Sequence, residues 1–556
     1  MISRRRYKAR FHVVVLVIMG LMVTALPAMA GPPVSDGTVT VTIVSTNDFH
    51  GALIGRVHSW SHGDVVGSAD YLTGYINIVR QENPGGVLWL DAGDAMQGTL
   101  ISNYFFGAST IEVFNAAGVD AMAVGNHEFD WGQEILQNRY DQADFPFLGT
   151  NVFFAKQHGN PNQGHGGRPH WVKPYKVLEA NGIEVGVIGV ANPETPSITN
   201  PVNVSNLVFL DPVEQVEEVL PEVERDGATM VIVLAHIGGY WPDFEEGIKD
   251  LACGLDPDRV DLIVSGHTHS RIDDVICGIP VVQAYSSGTA FARVDFTVDE
   301  GSGEVLSYEM NYSPTSTYQT YYGNPARYRR WDTGEWVEVV PDPVITALVD
   351  EFNAEIDAIK NEVVGEATTA ITRNYRYESE MGDWVTDIMA AYDPSIDFAF
   401  TNSGGLRADI DAGEVTFGEI FEALPFDNTL VVVELDGAEV RQVLEEGITG
   451  DHGLIQVSGL QFTFDYDAPV GSRIMGDVID LATGLPLDPA TTYYVAVNDF
   501  MAAGGDDYLT LASNPQTNSY ELVRDLVVDW VKANSPFAPP DPAIEQRITA
   551  LGTPPS

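Results

Sequence analysis

The sequence of 556 residues is poor in basic side chains, with 29 lysines and arginines against 79 aspartates and glutamates. Its formal charge of −50 at pH 7 argues against non-specific binding to nucleic acid or to an anionic membrane surface, because both need a positively charged protein surface. Any site for a phosphate group must therefore be electropositive locally, through metal ions or a few arginines. We expect no nucleic-acid partner.

Cysteine is scarce as well. The two cysteines, Cys253 and Cys277, predict a disulfide if the protein lies in an oxidising compartment, and the closed loop would contain residues 260–269. The alternative is a pair of buried free thiols.

Long hydrophobic runs are almost absent, and the clearest one, residues 13–26, lies near the amino terminus. Ala28-Met29-Ala30 follows this run, and it is preceded by five basic residues, Arg4, Arg5, Arg6, Lys8 and Arg10. A charged start, a short apolar middle and an A-x-A exit predict that residues 1–30 are a cleavable signal peptide. General secretion and twin-arginine export both remain open. We expect an exported protein, periplasmic or extracellular, without stable membrane association.

Motifs of several catalytic classes are missing too. The sequence has no P-loop, no G-x-S-x-G elbow and no recognisable nucleophilic cysteine. Hydrophobic residues make up 44% of the chain, which is ordinary for a globular protein, and the length predicts two large domains or three small ones.

What the sequence does contain is an alternation of strand-like and helix-like segments, typical of an α/β fold. The strand-like runs cover residues 38–45, 86–90, 121–124, 183–190, 228–235 and 260–265. Most of these runs end in aspartate, asparagine or histidine. Since open α/β sheets form their sites at the carboxyl ends of strands, these polar side chains predict a shared site.

The most informative stretch is VDAMAVGNHEFD at residues 119–130. A buried strand ends here in a glycine, and polar side chains follow at once. Asn126 offers a neutral oxygen ligand, His127 titrates near neutral pH, and Asp130 could fix the tautomer of His127. A turn with satisfied polar groups is the alternative for this stretch alone.

Eight candidate residues lie at the strand ends: Asp48, His50, Asp94, Asn126, His127, His236, His267 and His269. They include five of the twelve histidines. Mixed imidazole and carboxylate ligands suit Zn, Mn, Fe or Co, and one aspartate can bridge two ions. Two ions roughly 3.5–4 Å apart could hold a hydroxide and clamp a phosphoryl group for in-line attack.

These motifs resemble the calcineurin-like metallophosphoesterase pattern, and GNHEFD with LDAGD upstream looks like the secreted 5′-nucleotidase family, which includes UDP-sugar hydrolases and ecto-5′-nucleotidase. The resemblance implies two divalent metal ions. It assigns the first to Asp48, His50, Asp94 and His269. It assigns the second to Asp94, Asn126, His236 and His267. Some members carry glutamine or asparagine in place of His269.

The resemblance also assigns the catalytic roles. His127 would meet the transferring phosphoryl group as a cation, oriented by Asp130, and a second positive donor would lower the cost of charge that builds up in the transition state. A merely structural role for His127 is the alternative.

In the second half of the chain, the resemblance implies a nucleotide site. Asn402, Arg407 and Asn126 would contact the substrate, Phe426 and Phe500 would sandwich the base, and Asp506 would accept from the ribose hydroxyls. Arg376 is assigned as a further substrate arginine, with Arg373 as its competitor. Without the resemblance, both phenylalanines would be read as core residues.

The expected fold is therefore α/β with two domains. We predict an N-terminal metallophosphoesterase αββα sandwich over residues 38–340, joined by a linker helix at residues 341–364 to a smaller C-terminal α/β nucleotide-binding domain at residues 365–552. Apolar positions at a helical period, preceded by Pro343, support the linker helix.

The predicted function is release of phosphate from nucleoside 5′-monophosphates by a hydroxide held between two metals. The alternatives are a 2′,3′-cyclic-nucleotide phosphodiesterase with 3′-nucleotidase activity, a UDP-sugar hydrolase, and, outside the enzyme class, an inactive nucleotide-binding or adhesion protein. The expected partner is a nucleotide. The sequence does not predict an oligomeric state.

Overall fold

The structure is a computed structural model that describes residues 37–57, 61, 65–156, 165–240, 244, 247–310, 321–322, 326–450 and 452–554. The predicted signal peptide, residues 1–30, lies outside the described residues. Within the described part, no helix has the length and apolar character needed to cross a membrane.

The elements of the first domain alternate between strands and helices. In chain order they are β1 (Thr38–Thr46), β2 (Arg56–Val57), β3 (Val65–Val66), α1 (Ala69–Glu82), β4 (Val87–Asp91), α2 (Leu100–Asn103), α3 (Ala108–Ala117), β5 (Ala121–Ala123), α4 (Gln133–Gln142), β6 (Phe147–Leu148), β7 (Val152–Phe154), β8 (Tyr175–Ala180), β9 (Ile183–Val190), α5 (Thr195–Ile198), α6 (Pro201–Val204), β10 (Leu207–Phe209), α7 (Pro212–Arg225), β11 (Met230–Ala235), α8 (Ile248–Gly254), β12 (Leu262–Ser265), β13 (Arg271–Ile276), β14 (Ile279–Ala284), β15 (Ala292–Asp299), β16 (Val305–Met310), β17 (Tyr321–Tyr322), β18 (Arg327–Arg329) and β19 (Trp336–Glu338).

Two six-stranded sheets form the centre of this domain. Their strand orders are β16-β15-β1-β4-β5-β6 and β13-β14-β12-β11-β9-β8. Inside the first sheet β1, β4, β5 and β6 run parallel, and inside the second β9, β11, β12 and β14 do so. The carboxyl ends of the parallel strands therefore meet at one edge of each sheet.

The two sheets pack face to face over a shared apolar core. Ile43 and Leu90 of the first sheet and Val187 and Leu234 of the second are buried in the same cluster. Each such side chain contributes roughly 1.5–3 kcal/mol when it leaves water. Helices α1 and α3 cover the outer face of the first sheet, and α7 and α8 cover the second. The predicted αββα sandwich is confirmed.

Helix α9 (Pro343–Lys360) follows the first domain. It begins with Pro343 in its first turn, and the Asp342 carboxylate accepts from the amides of Val344 and Ile345, which satisfies two otherwise unpaired donors. The apolar stripe of α9, including Ile345, packs against α1 and α3 in the core of the first domain. The connecting helix is therefore part of the helical layer of the first domain.

The second domain is smaller. Its elements are β20 (Val363–Ala367), α10 (Glu380–Ala390), β21 (Phe398–Asn402), β22 (Gly413–Thr416), α11 (Phe417–Ala423), β23 (Thr429–Asp436), α12 (Gly437–Glu446), β24 (Ile455–Ser458), β25 (Leu460–Asp465), β26 (Ile474–Asp480), β27 (Leu485–Pro486), β28 (Thr492–Asn498), α13 (Asp499–Ala502), α14 (Leu509–Ala512), β29 (Gln516–Leu522), α15 (Val523–Asn534), α16 (Pro542–Glu545) and β30 (Ile548–Leu551). A five-stranded sheet, ordered β24-β21-β28-β23-β29, has apolar clusters on both faces.

The predicted disulfide between Cys253 and Cys277 is confirmed. It joins helix α8 to the turn after β13, and its loop contains β12 with His267 and His269.

Replacing both cysteines with serine should destabilise the loop that carries these histidines. For a sequence separation of 24 residues, the loop-entropy model gives a loss of about 3 kcal/mol. We expect a lower urea midpoint for the double variant. Reductant should lower the midpoint of the wild type towards this value and leave the variant unchanged; an equal effect of reductant on both proteins would contradict the prediction.

Candidate metal and substrate site

The strand ends bring the predicted ligands together. Asp48 and His50 follow β1, Asp94 follows β4, and Asn126 follows β5, all in the first sheet. His236 follows β11 in the second sheet. His267 and His269 follow β12 in the same sheet. The prediction that separate strands converge on a shared site agrees with this placement.

The backbone at these positions is unusual. Five of the predicted ligands have a left-handed conformation with φ between 48° and 77°: Asp48, His50, Asp94, His267 and His269. Such a conformation costs free energy in residues other than glycine and is found mainly where the surrounding structure enforces it for a function. The turns after β1, β4 and β12 therefore aim these side chains towards one place at the expense of local strain.

The first ligand group consists of Asp48, His50 and His269. The Nε2 atoms of His50 and His269 lie 2.9 Å apart, and Asp48 Oδ1 lies 3.3 Å from Nε2 of His269 and 4.0 Å from Nε2 of His50. Asp48 and His50 are buried and His269 is half-buried, so the group opens on one side.

The second group consists of Asp94, His236 and His267. His236 Nε2 lies 3.1 Å from Asp94 Oδ2 and 3.1 Å from Asn126 Oδ1, so the asparagine oxygen belongs to this group too. The backbone amide of His267 donates to Asp48 Oδ2 at 2.9 Å and so connects the two groups.

These residues fit divalent cations. Asp48 Oδ1 is buried and has no hydrogen-bond partner among the described residues, which is costly unless a cation faces it. His50 Nδ1 donates to the carbonyl of Gln97, and His236 Nδ1 donates to the carbonyl of Ala92, both at 2.8 Å. A carbonyl can only accept, so these bonds direct Nε2 of each ring towards the carboxylates.

The protonation states of three ligands favour ligation, whereas Asp94 raises the pKa of His236 to about 10 against the effect of burial, so a cation would have to displace that proton. Burial lowers the pKa of His50 well below its usual value, and burial together with His236 lowers the pKa of His267 to about 3. Burial raises the pKa of Asp48, but the neighbouring His269 outweighs it and brings the pKa to about 2. Neutral imidazoles and ionised carboxylates are the forms that bind metals.

His127 differs from the ligand histidines. Its Nδ1 lies 2.7 Å from Asp130 Oδ2, and its Nε2 lies 4.0 Å from Asp94 Oδ2. Burial lowers the pKa of His127, but Asp130 and Asp94 more than offset this and raise it above the usual value. The raised pKa favours the cationic form of the ring, which Asp130 orients with its other nitrogen turned towards the second ligand group.

Sequence reasoning missed the part played by Glu128. Its buried carboxylate accepts from the backbone amides of Asp94, Ala95 and Gly125 at 2.8–2.9 Å. This carboxylate fixes the turn that presents Asp94 against the turn after β5. The sequence signal for this close approach was the glycine at position 125. A Cβ there would collide with the Asp94 carboxylate, so the two turns can pack this closely only with glycine.

The second domain contributes the other wall of the site. The Phe426 ring stacks on the His127 ring at 5.7 Å between centroids, and the Arg407 guanidinium lies 6.0 Å from the same phenylalanine ring. Asn103 of the first domain donates to the carbonyl of Pro425 at 2.9 Å. Phe426 thus contacts His127 across the domain boundary, and the charge of Arg407 lowers the pKa of both His50 and His127.

Of the two candidate substrate arginines, Arg373 lies beside Arg407. The Arg373 guanidinium donates to the carbonyl of Leu406 at 3.2 Å, directly beside Arg407, and its charge lowers the pKa of Arg407 in addition to burial. Arg376 instead lies against Tyr466, whose hydroxyl donates to its carbonyl at 3.2 Å. The assignment of Arg376 stays a prediction, and the position of Arg373 beside Arg407 leads us to propose Arg373 for this role instead.

A further arginine reaches this region from the first domain. Arg56, on β2, donates to the hydroxyl of Ser287 at 3.4 Å, and its charge lowers the pKa of both Arg373 and Arg407. Three guanidinium groups therefore make a local positive region in a protein that is acidic overall. The motif search missed Arg56 because no recognisable pattern surrounds it.

The predicted ribose contacts also lie together. Asp506 Oδ2 accepts from Asn402 Nδ2 at 2.7 Å, and Asn402 Oδ1 accepts from Asn498 at 3.0 Å. Burial raises the pKa of Asp506 to about 6. Phe500 is half-buried, with its ring directly over Gly505 next to Asp506. In this structure Phe426 stacks on His127, so the base sandwich between the two phenylalanines stays a prediction.

Comparisons with known proteins agree with this architecture. The model of the calcineurin-like phosphoesterase family matches residues 41–271, and that of the 5′-nucleotidase C-terminal domain matches residues 359–513. The 5′-nucleotidase precursor of Thermus thermophilus has a similar structure, with a TM-score of 0.77, 28% identity, and coverage of 93% of this chain and 100% of its own.

Two curated relatives illustrate the sequence similarity. A snake venom 5′-nucleotidase of Naja atra is 27% identical over 92% of this chain and 99% of its own length. The trifunctional nucleotide phosphoesterase protein YfkN of Bacillus subtilis is 29% identical over 88% of this chain, which spans 33% of that longer relative. Calcineurin-like phosphoesterases use two divalent metals, so the predicted cofactor pair is confirmed by the matched family and the two ligand groups.

Proposed function

The chain belongs to the 5′-nucleotidase family, and from this premise we propose that it is an exported phosphohydrolase that releases phosphate from nucleoside 5′-monophosphates. The observation that carries the proposal is the contact between His127 of the first domain and Phe426 of the second. This contact supports the proposal because it joins the turn that carries the candidate metal ligand Asn126 to an aromatic ring suited to a nucleoside.

The proposed ligands are those predicted from the sequence. Asp48, His50, Asp94 and His269 would hold one cation, and Asp94, Asn126, His236 and His267 would hold the other. When bound, the two cations supply a nucleophile derived from water and neutralise negative charge on the phosphoryl group.

The side chains around this centre bind and orient the substrate. His127, kept protonated by Asp130, donates from Nε2 to a phosphoryl oxygen, where a positive donor stabilises the charge that develops in the transition state. Arg407 and Arg373 bind anionic oxygens through their planar guanidinium forks. Asn402 and Asp506 orient the ribose, and Phe426 and Phe500 bind the base through their ring faces.

The direct test is phosphate release from AMP by the purified protein, with Mn²⁺, Zn²⁺, Co²⁺ or Fe²⁺ added or with a chelator. Cyclic AMP isomers and UDP-glucose, assayed in parallel, separate the 5′-nucleotidase from the phosphodiesterase and UDP-sugar hydrolase. We expect AMP to be the best substrate and chelator to abolish the reaction. Binding of AMP without release of phosphate under any metal would favour an inactive binding protein.

Replacing Arg373 with methionine should raise KM for AMP by roughly 10–100-fold, because a hydrogen bond to a charged group contributes about 1.5–3 kcal/mol. Arg376→Met is the matched control, with the same change of chemistry three residues away. We expect a change in KM within about twofold for R376M, since its backbone contacts Tyr466 and not the region beside Arg407. Michaelis–Menten measurements on both variants check this, and the reverse order of effects would restore the original assignment of Arg376.

A further inference from the structure

One short segment of the first domain contacts both the catalytic histidine's partner and the second domain. This coupling segment, residues 192–204, contains helices α5 and α6. The hydroxyl of Thr199 donates to Asp130 Oδ1 at 2.9 Å. Asn203 donates to the carbonyls of Phe129 and Asp130, both at 2.9 Å. The segment therefore holds the backbone and the carboxylate of Asp130 at the same time.

The coupling segment also contacts a metal ligand. The side-chain amide of Asn126 donates to the carbonyl of Ile198 at 3.3 Å. This bond leaves Asn126 Oδ1 turned towards His236. Ile198 thus supports Asn126 through its backbone carbonyl, and Thr199 supports Asp130 through its hydroxyl.

On its other side the segment meets the nucleoside-binding domain. Helix α5 packs against residues Gly505–Asp507, which carry Asp506. Asp506 is held in turn by Asn402. A continuous set of contacts therefore runs from the proposed ribose site, through α5 and Thr199, to Asp130 and His127.

We propose that Thr199 is a positioning residue that orients Asp130, and through it His127, when the second domain docks against α5; this inference depends on the function proposed above. Each oxygen of the Asp130 carboxylate has one partner, His127 on Oδ2 and the buried Thr199 hydroxyl on Oδ1. Loss of the hydroxyl frees the carboxylate to rotate, and the imidazolium loses its alignment. Small misplacements of a catalytic group cost large factors in rate.

The first experiment compares Thr199→Val with Thr199→Ser and with Ser205→Ala, an exposed hydroxyl at the end of α6. We expect kcat for AMP to fall about tenfold or more in T199V, with KM within about twofold, and to recover in T199S. Titration calorimetry with Mn²⁺ should give the same stoichiometry and affinity for all three proteins. Thr199→Ala is made in parallel in case T199V is unstable. The variant whose melting temperature is closer to that of the wild type is the one used to decide the result.

The second experiment combines Thr199→Val with His127→Asn. If Thr199 acts through His127, the double variant should have the kcat of H127N alone, since residues that act as one unit are not additive. The inference would be overturned if the losses in kcat from T199V and H127N were additive in the double variant. It would also be overturned if T199V had the kcat of S205A, or if T199S were as impaired as T199V. A wild type that releases no phosphate from AMP would instead reject the proposed function itself.

Discussion

Replacing Asp94 with asparagine is expected to lower phosphate release from AMP by about 10³-fold or more. Asp94 lies in the second ligand group, 3.1 Å from His236, and it also accepts the backbone amide of His127 at 2.8 Å. A neutral amide can keep that backbone bond but cannot balance the charge of a cation. Loss of an ion that contributes several kcal/mol of transition-state stabilisation costs about a factor of ten for each 1.36 kcal/mol.

The same substitution should change how stability responds to metal. Mn²⁺ binds the folded wild type and so should raise its melting temperature, whereas the rise should be smaller or absent in D94N. The matched control is Asp258→Asn on an exposed loop, for which we expect the rate to stay within about twofold of the wild type. A D94N protein with normal activity and a normal response to Mn²⁺ would remove Asp94 from the metal site.

Much of the metal site could be predicted because it follows from strand topology. Parallel strands in a sheet end at the same edge, so Asp94 after β4 and Asn126 after β5 had to lie close together once both runs were read as strands. His236 comes from the other sheet, and its approach to Asp94 depends on how the sheets pack. The sequence pattern alone does not contain that relation; the family resemblance supplied it.

The domain interface was harder to predict because no local pattern encodes it. Nothing in the sequence around Phe426 indicates that its ring stacks on His127, and nothing around Thr199 indicates a bond to Asp130. Arg373 and Arg376 differ by three positions in an irregular stretch, so only the course of the backbone decides which of them lies beside Arg407. Periodicity gives no help where the chain is neither helix nor strand.

The arginines explain how a strongly acidic protein could bind an anionic substrate. A chain with a formal charge of −50 repels an anionic substrate at long range. At the site, however, burial lowers the pKa of Arg407 and of Arg373, and the charge of Arg56 lowers both further, with Arg373 also acting on Arg407, so positive charge is concentrated there. Salt screens charges on the distant acidic surface more effectively than charges that lie close to the bound group. For the proposed function, this local charge matters more for capture of the phosphate than the net charge.

His127→Asn should lower kcat for AMP by about 10²–10³-fold, the range found when one preorganised donor to a developing negative charge is removed. The ring is held by Asp130 at 2.7 Å, and Asp130 and Asp94 raise its pKa against the effect of burial. Asparagine of similar reach cannot carry the positive charge. Because His127 is outside both ligand groups, Mn²⁺ should still bind to H127N with the stoichiometry and affinity of the wild type.

The result separates a catalytic role from a structural one. His170→Asn, at an exposed position, is the control, and its kcat should remain within about twofold of the wild type. If His127 only supported the fold, H127N would lose melting temperature and metal affinity together with activity. A fall in kcat at constant Mn²⁺ affinity and constant melting temperature therefore requires that the imidazolium act on the phosphoryl group, whereas normal turnover by H127N would exclude that role.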